Sequence, residues 1–156
     1  LLAELNPRPR LYGYRSVKEA ADETGRAPIY LYPVSGERRR TRENLLGWCR
    51  NRRSSANPEA FDRGAFLIEE ARPDGLLVMD EIGPMESGAP RFRAAVLAAL
   101  EGGVPILASV RDIDLPFLET VRSCPNARCF HLTRDNAEEL FPLVLAQLRA
   151  QLREVR

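Results

Sequence analysis

The chain is 156 residues long, which is about the size of one domain and too short for two. It holds 23 basic and 22 acidic residues, so its net charge of +1 creates no general attraction to nucleic acid or to an anionic membrane, and we expect neither as a partner. Lys18 is the one lysine, so any chemistry that needs a lysine has a single candidate.

The first residues predict the end of a helix rather than its beginning. Residues 1–5, Leu-Leu-Ala-Glu-Leu, resemble the tail of an amphipathic helix, and the first residue is Leu rather than Met. We therefore expect a sequence that is truncated at its N-terminus. Further along, Ile-Tyr-Leu-Tyr-Pro-Val at 29–34, followed by Ser35-Gly36, predicts a strand and a turn that belong to a small antiparallel hairpin.

A basic stretch follows that hairpin. Glu37 and Glu43 are interleaved with its arginines, and Trp48 stands between apolar neighbours, so we expect a solvated, mobile segment in which Trp48 is a packing residue. Two alternatives stay open: the arginines contact nucleotide phosphates, or they bind a nucleic-acid backbone while the indole stacks on bases. The arginines are Arg38, Arg39, Arg40, Arg42, Arg50, Arg52 and Arg53.

From Pro58 onward, helical and strand patterns alternate. Helices are predicted over 58–72, 92–100 and 115–121 and from Asp135 to the end, and strands over 75–79, 104–110 and 128–132. The strand at 75–79 is wholly apolar, as expected of a strand buried on both faces. This order predicts a single α/β domain with a mostly parallel sheet covered by helices in three layers.

The cysteines indicate a reduced compartment. Cys49, Cys124 and Cys129 are odd in number and form no Cys-x-x-Cys pair, so neither a disulfide framework nor a zinc site with His131 is expected. No apolar run is long enough to span a membrane and no secretory signal is visible, so we expect a cytoplasmic protein.

The strongest chemical signal is the pair Asp80-Glu81 at the end of the apolar strand. In an open α/β sheet, ligands bind outside the carboxyl ends of the strands. There, Asp80 could hold Mg²⁺ directly or through water, and Glu81 could orient or deprotonate an attacking water. This is the pattern of a Walker B strand, although solvated charges at a strand end are the alternative interpretation.

The continuation of this strand resembles a known family. Asp-Glu-Ile-Gly-Pro-Met-Glu at 80–86 is similar to the signature of a small P-loop nucleoside-triphosphatase family that includes a thermophilic bacterial enzyme and the human cancer-related nucleoside-triphosphatase. The resemblance runs from about 57 to 145 and includes Phe92, the strand at 105–110, Pro116-Phe117 and Leu-Thr-Arg-Asp-Asn-Ala-Glu-Glu-Leu at 132–140. The chain departs from the family pattern at Arg111-Asp112, where a His-Arg pair is usual, and at Ala137, where Arg is usual.

The resemblance implies a RecA-like P-loop fold and slow, Mg²⁺-dependent hydrolysis of ATP, GTP and other nucleoside triphosphates. It matches Asp80 to the metal-associated carboxylate and Glu81 to the water-activating one. Arg111, Thr133 and Asn136 are candidate nucleotide-binding residues by the same comparison, while capping of the last helix is the alternative for Thr133 and Asn136.

One essential part of such a site is missing from the sequence. A P-loop requires Gly-x-x-x-x-Gly-Lys-Ser/Thr, and Lys18 has no matching glycines before it. We expect the first strand and the P-loop to precede Leu1, and we expect residues 1–156 alone to be inactive. The alternatives are a nucleotide-dependent small-molecule kinase and a degenerate P-loop module that binds a partner or RNA.

Overall fold

Strands and helices alternate along the chain in a computed structural model that describes residues 1–51 and 53–154. Two short 3₁₀ turns cover Leu2–Glu4 and Pro84–Gly88. The strands are β1 (Arg10–Lys18), β2 (Ala27–Pro33), β3 (Leu45–Arg50), β4 (Arg53–Ala56), β5 (Gly75–Ile82) and β6 (Ile106–Val110). The helices are α1 (Pro58–Gly64), α2 (Phe66–Glu69), α3 (Pro90–Glu101), α4 (Pro116–Arg122) and α5 (Ala137–Glu154).

All six strands form one mixed sheet in the order β4-β3-β2-β1-β5-β6. β5 lies between β1 and β6 and is parallel to both, whereas β1 to β4 pair with one another in antiparallel fashion. The α/β class is therefore confirmed, but the antiparallel part is larger than the small hairpin that the sequence predicts. The parallel part carries the Asp80-Glu81 pair.

Two apolar cores lie on the two faces of the sheet. Leu77 and Met79 of β5 pack in the larger core, with residues of α1 to α4. Leu76 and Val78 point to the opposite face and pack in a smaller core with Leu145 and Leu148 of α5. The alternation of side chains along β5 thus contributes to both cores, which explains why this strand is apolar at every position before Asp80.

The central helix α3 begins and ends where its sequence predicts. Proline occupies its first position, the side chain of Asp62 in α1 accepts a hydrogen bond from the main-chain N–H of Phe92 at 2.9 Å, and Gly102 follows its last residue. Phe92 is fully buried and makes edge-to-face contacts with Tyr14 of β1 and Phe61 of α1 at centroid distances of 5.1 and 5.3 Å. These aromatic contacts fix α1 and α3 over the centre of the sheet.

The prediction of a strand at 128–132 is wrong. Residues 128–132 have no strand or helix assignment. β6 is the last strand of the described sheet, and no ladder joins its free edge to this segment. Instead, Arg128 contacts Gln147 of α5 at 2.9 Å, and His131 contacts Asp112 at 3.4 Å.

The basic stretch is more ordered than predicted. Residues 37–43 are exposed, but β3 and β4 then form a hairpin that ends the sheet. The helix predicted over 58–72 is present but is interrupted at Ala65, and the last helix begins at Ala137 rather than near Asp135. Three residues of the predicted segments, Arg52, Val155 and Arg156, lie outside the described residues. No helix in the described part of the chain is both long and apolar enough to cross a bilayer.

Candidate functional site

The pair Asp80-Glu81 lies within the last three residues of β5, at the carboxyl end of the strand that has parallel neighbours on both sides. The five residues before it are buried, whereas Asp80 is exposed and Glu81 is partly exposed. The buried part of the strand holds the two carboxylates in place, and their side chains reach the solvent at the sheet edge where ligands of open α/β folds bind.

Ser109 of the neighbouring strand β6 holds one oxygen of Asp80. The Ser109 hydroxyl donates a hydrogen bond of 2.6 Å to Oδ1 of Asp80. The contact follows from the strand register, because Met79 lies opposite Ala108 and the next residue of each strand is Asp80 and Ser109. A short bond from a hydroxyl to a carboxylate holds the acid in a fixed orientation.

Glu81 is paired with an arginine. Nη1 of Arg111 lies 3.4 Å from Oε1 of Glu81, and the two side chains are 56% and 44% exposed. The main chain of Arg111 is fixed on both sides: its N–H donates to the carbonyl of Ile82 at 2.9 Å, and its carbonyl accepts from Nη1 of Arg122 at 3.0 Å. An ion pair this exposed contributes little to stability. The guanidinium of Arg111 therefore loses little if it contacts another anion.

A buried tyrosine lies beneath the pair. Tyr14 of β1 is fully buried, and its hydroxyl donates to the main-chain carbonyl of Glu81 at 3.4 Å. Burial raises the pKa of the Tyr14 phenol well above its ordinary value, and the negative charges of Glu86, Asp80 and Glu81 add to this effect. Tyr14 therefore remains neutral and acts only as a hydrogen-bond donor to the loop that follows β5.

Glu86 is the buried carboxyl of the site, with 3% of its surface exposed. Its Oε2 accepts a hydrogen bond of 2.9 Å from the main-chain N–H of Gly83, which closes the turn from β5 into the 3₁₀ turn Pro84–Gly88. Burial raises the pKa of Glu86 to about 7; the bonds from main-chain N–H groups lower it, and the charge of Glu81 raises it further. The carboxyl that closes this turn therefore changes its protonation near neutral pH.

We predict that Glu86→Gln makes stability less dependent on pH. The folded pKa of Glu86 is about 7 and exceeds the ordinary value of 4.5, so the folded state binds the extra proton and the parent protein loses stability as pH rises through this window. The cost of the buried charge is fully present above pH 7, at about 3 kcal/mol. Glutamine avoids this cost because it carries no charge. At pH 8 the melting temperature of the variant should therefore exceed that of the parent by roughly 5 °C or more.

At pH 4.5, where Glu86 is protonated in the folded state and the buried charge is absent, the two melting temperatures should differ much less. Glu59→Gln is the matched control, because that side chain is 87% exposed. A Glu86→Gln shift that is the same at both pH values would contradict the buried-charge explanation.

Thr133 and Asn136 interact with each other. Oδ1 of Asn136 accepts from the main-chain N–H of Thr133 at 2.8 Å, and Oγ1 of Thr133 accepts from the N–H of Asn136 at 3.3 Å. The main-chain carbonyl of Asn136 accepts from the N–H of Leu140, in the first turn of α5. This reciprocal bonding is that of a helix cap, which supports the capping interpretation of both residues.

The described residues contain no cluster of three or more His, Cys, Asp or Glu side chains placed to hold a metal ion.

The comparisons with known proteins agree with the fold. Residues 21–145 match the family model described as NTPase. The chain belongs to this family. The P-loop NTPase assignment suggested by residues 80–86 is thereby confirmed.

Two relatives within the NTPase family are named nucleoside-triphosphatase THEP1. The protein of Pyrococcus abyssi is 32% identical over 108 residues, which are 68% of this chain and 58% of that protein. The protein of Thermofilum pendens is 36% identical over 98 residues, or 60% of this chain and 52% of that protein. The chain therefore spans just over half the length of the curated relatives it matches.

A solved structure of the same name shares the fold. The crystal structure of THEP1 from the hyperthermophile Aquifex aeolicus superposes with a TM-score of 0.64 at 20% identity, and the match covers 89% of this chain and 84% of that one. This similarity supports the α/β architecture of an NTPase-family member.

Two residues of the site were missed by the sequence analysis as functional groups. Ser109 lies within the strand predicted at 104–110, but its place beside Asp80 depends on the register of β5 and β6, which no local sequence signal gives. Glu86 lies in the recognised signature, but nothing in its sequence context signals that its carboxyl is buried.

Proposed function

We propose that the full-length protein hydrolyses nucleoside triphosphates, with ATP and GTP as substrates, to the diphosphate and phosphate in a Mg²⁺-dependent reaction. The observation that carries the proposal is the placement of Asp80 and Glu81, one oriented by Ser109 and the other beside Arg111, at the carboxyl end of a buried parallel strand. The names of the two relatives support hydrolysis as the reaction class.

Asp80 fits the requirements of a magnesium site. Mg²⁺ in phosphate-transferring proteins is bound by one or two carboxylates together with water and substrate phosphates, and Asp80 offers an exposed carboxylate with one oxygen already oriented by Ser109. When bound, the ion would neutralise charge on the substrate phosphates. Asp80 is accordingly the residue that we assign to the metal.

Glu81 is assigned to the attacking water. It is partly exposed, and its carboxylate can accept a hydrogen bond from a water and hold that water in line with the terminal phosphorus. Arg111 lies within contact distance of the same carboxylate. In the proposed reaction the guanidinium positions the Glu81 carboxylate and, as a nucleotide contact, neutralises charge that develops on the phosphate oxygens.

The proposed reaction also requires a phosphate-cradling loop with its lysine, and residues 1–156 contain no Gly-x-x-x-x-Gly-Lys-Ser/Thr. The proposal therefore concerns protein in which that loop is present, and residues 1–156 by themselves should be inactive. All assays below use the full-length protein.

We predict that Asp80→Asn weakens the metal-dependent step. The amide keeps the size of the side chain but loses its charge, so the Mg²⁺ concentration that gives half-maximal phosphate release should rise by about tenfold or more. The measurement is a Mg²⁺ titration of ATP and GTP hydrolysis, followed by release of inorganic phosphate.

Asp74→Asn, an exposed aspartate just before β5, is the matched control and should leave the titration unchanged. A rate that does not depend on Mg²⁺ in the parent would contradict the role of Asp80. If phosphate appears on an added acceptor and little inorganic phosphate is released, the protein is a kinase rather than a hydrolase.

A further inference from the structure

We propose that a basic cleft at the end of the β3–β4 hairpin binds single-stranded nucleic acid. The cleft has a volume of about 710 Å³ and is open to solvent. Three arginines, one tryptophan and three small polar residues line it, and the lining contains no carboxylate. The lining residues are Arg26, Trp48, Arg50, Asn51, Arg53, Ser54 and Ser55.

The arrangement of the arginines in the cleft destabilises the β3–β4 hairpin. Arg50 and Arg53 are exposed and lie directly opposite each other as the last pair of the hairpin ladder. Like charges in this position destabilise a strand pair. Among the described residues, no ion pair includes Arg26, Arg50 or Arg53, whereas Arg39 and Arg40 pair with glutamates. A bound anion would remove the repulsion that the hairpin itself leaves uncompensated.

The indole ring of Trp48 favours nucleic acid over other polyanions. The guanidinium of Arg26 lies 4.5 Å from the centroid of the Trp48 ring, so a charged plane covers a partly exposed indole. Nucleobases stack on aromatic rings and on guanidinium planes, and the adjoining arginines can then contact phosphates. An acidic peptide would use the charges but not the stacked planes. In a duplex the bases are already stacked on one another, so we infer a single strand.

The cleft is separate from the acidic site. β3 is three strands away from β5 and β4 is four, and at about 4.8 Å per interstrand spacing the two sites are at least roughly 14 Å apart across the sheet. The carboxyl end of β3 points the same way as that of β5, because β3 is antiparallel to β2, and β2 to β1. The arginines therefore belong to a second anion site on the edge that carries Asp80.

The small net charge of the chain conceals this patch. A net charge of +1 is a sum over the whole molecule, and the sequence analysis used it to set nucleic acid aside as a partner. Binding to a phosphate backbone depends on the charges that contact it, which here are local to one hairpin and to Arg26.

The test measures binding of a labelled single-stranded RNA 12-mer to the full-length protein by fluorescence anisotropy at several salt concentrations. We expect salt-dependent binding that weakens by about tenfold or more in Arg50→Gln/Arg53→Gln. The slope of log K against log salt should fall by about 1.4, because each phosphate contact on a single strand contributes about 0.7. Trp48 is the one tryptophan, so its intrinsic fluorescence should change when unlabelled RNA binds to the parent.

Arg8→Gln/Arg39→Gln is the matched control, since it removes the same charge from two exposed arginines outside the cleft and should change affinity less than twofold. Circular dichroism verifies that both double variants are folded. The proposal is overturned by absence of binding at low salt, by equal losses in the two double variants, by equal affinity for a duplex of the same length, or by an unchanged Trp48 signal. Displacement of the RNA by ATP at equal concentration would also overturn it, because the cleft would then be a mononucleotide site.

Discussion

Glu81→Gln should abolish nucleoside-triphosphate hydrolysis and leave nucleotide binding intact. The amide occupies the same volume at the end of β5 but cannot accept a proton from the attacking water, and loss of a general base costs roughly 10²- to 10⁴-fold in rate. Phosphate release gives the rate, and a titration with a fluorescent ATP analogue gives the affinity. A loss in rate with an unchanged dissociation constant would assign Glu81 to the chemical step rather than to binding.

The Glu81–Arg111 contact requires a control, since the substitution also removes this ion pair. The pair is exposed, so its loss should change the melting temperature by no more than about 2 °C. Glu101→Gln, at the exposed end of α3, should retain the parent rate. Hydrolysis by the Glu81→Gln variant at the parent rate would contradict the assignment of Glu81 to the attacking water.

The sequence predicts the parallel half of the fold well because its signals are local. The apolar run before Asp80 predicts a strand buried on both faces, and β5 contributes to both cores. The helix predicted over 92–100 is α3, which runs from Pro90 to Glu101 and is followed by Gly102. The acidic pair could be placed at the sheet edge by the same reasoning, since a buried strand must deliver the residues that follow it to the end of the sheet.

Features that depend on neighbouring strands could not be predicted in this way. Residues 128–132 have the composition of a strand, but a strand exists only where a ladder forms, and none joins this segment to the free edge of β6 in the described sheet. The contact between Asp80 and Ser109 requires the register of β5 and β6, and the burial of Glu86 requires the 3₁₀ turn that folds back onto Gly83. These are long-range properties of the folded chain.

β1 is the clearest case, because the sequence analysis assigned no strand to 10–18. Its pattern is interrupted by Gly13, a residue that weakens a strand in isolation. In the structure Gly13 has φ +98° and lies opposite Val78 of β5. The residue that conceals the strand in the sequence is the one that allows its pairing with the strand that carries the site.

Gly13→Ala should therefore strongly destabilise the protein. A Cβ at this position would overlap the main-chain carbonyl oxygen of Val78 and crowd the side chain of Leu77, and a backbone oxygen in a central strand cannot move aside cheaply. To this overlap is added the strain of a positive φ for alanine, about 1 kcal/mol. We expect a loss of roughly 3 kcal/mol or more in the free energy of unfolding, measured by urea denaturation of the full-length protein.

Gly36→Ala separates the two contributions. Gly36 has a similar φ of +105°, but nothing lies within 4 Å of the position that its Cβ would take. This variant should lose only the strain energy, about 1 kcal/mol, so the difference between the two variants measures the overlap with β5. Equal losses would show that β1 does not pack against β5 as closely as described. Because Val78 precedes Asp80 by two residues, a Gly13→Ala protein that still folds should also hydrolyse nucleotide more slowly through a displaced Asp80.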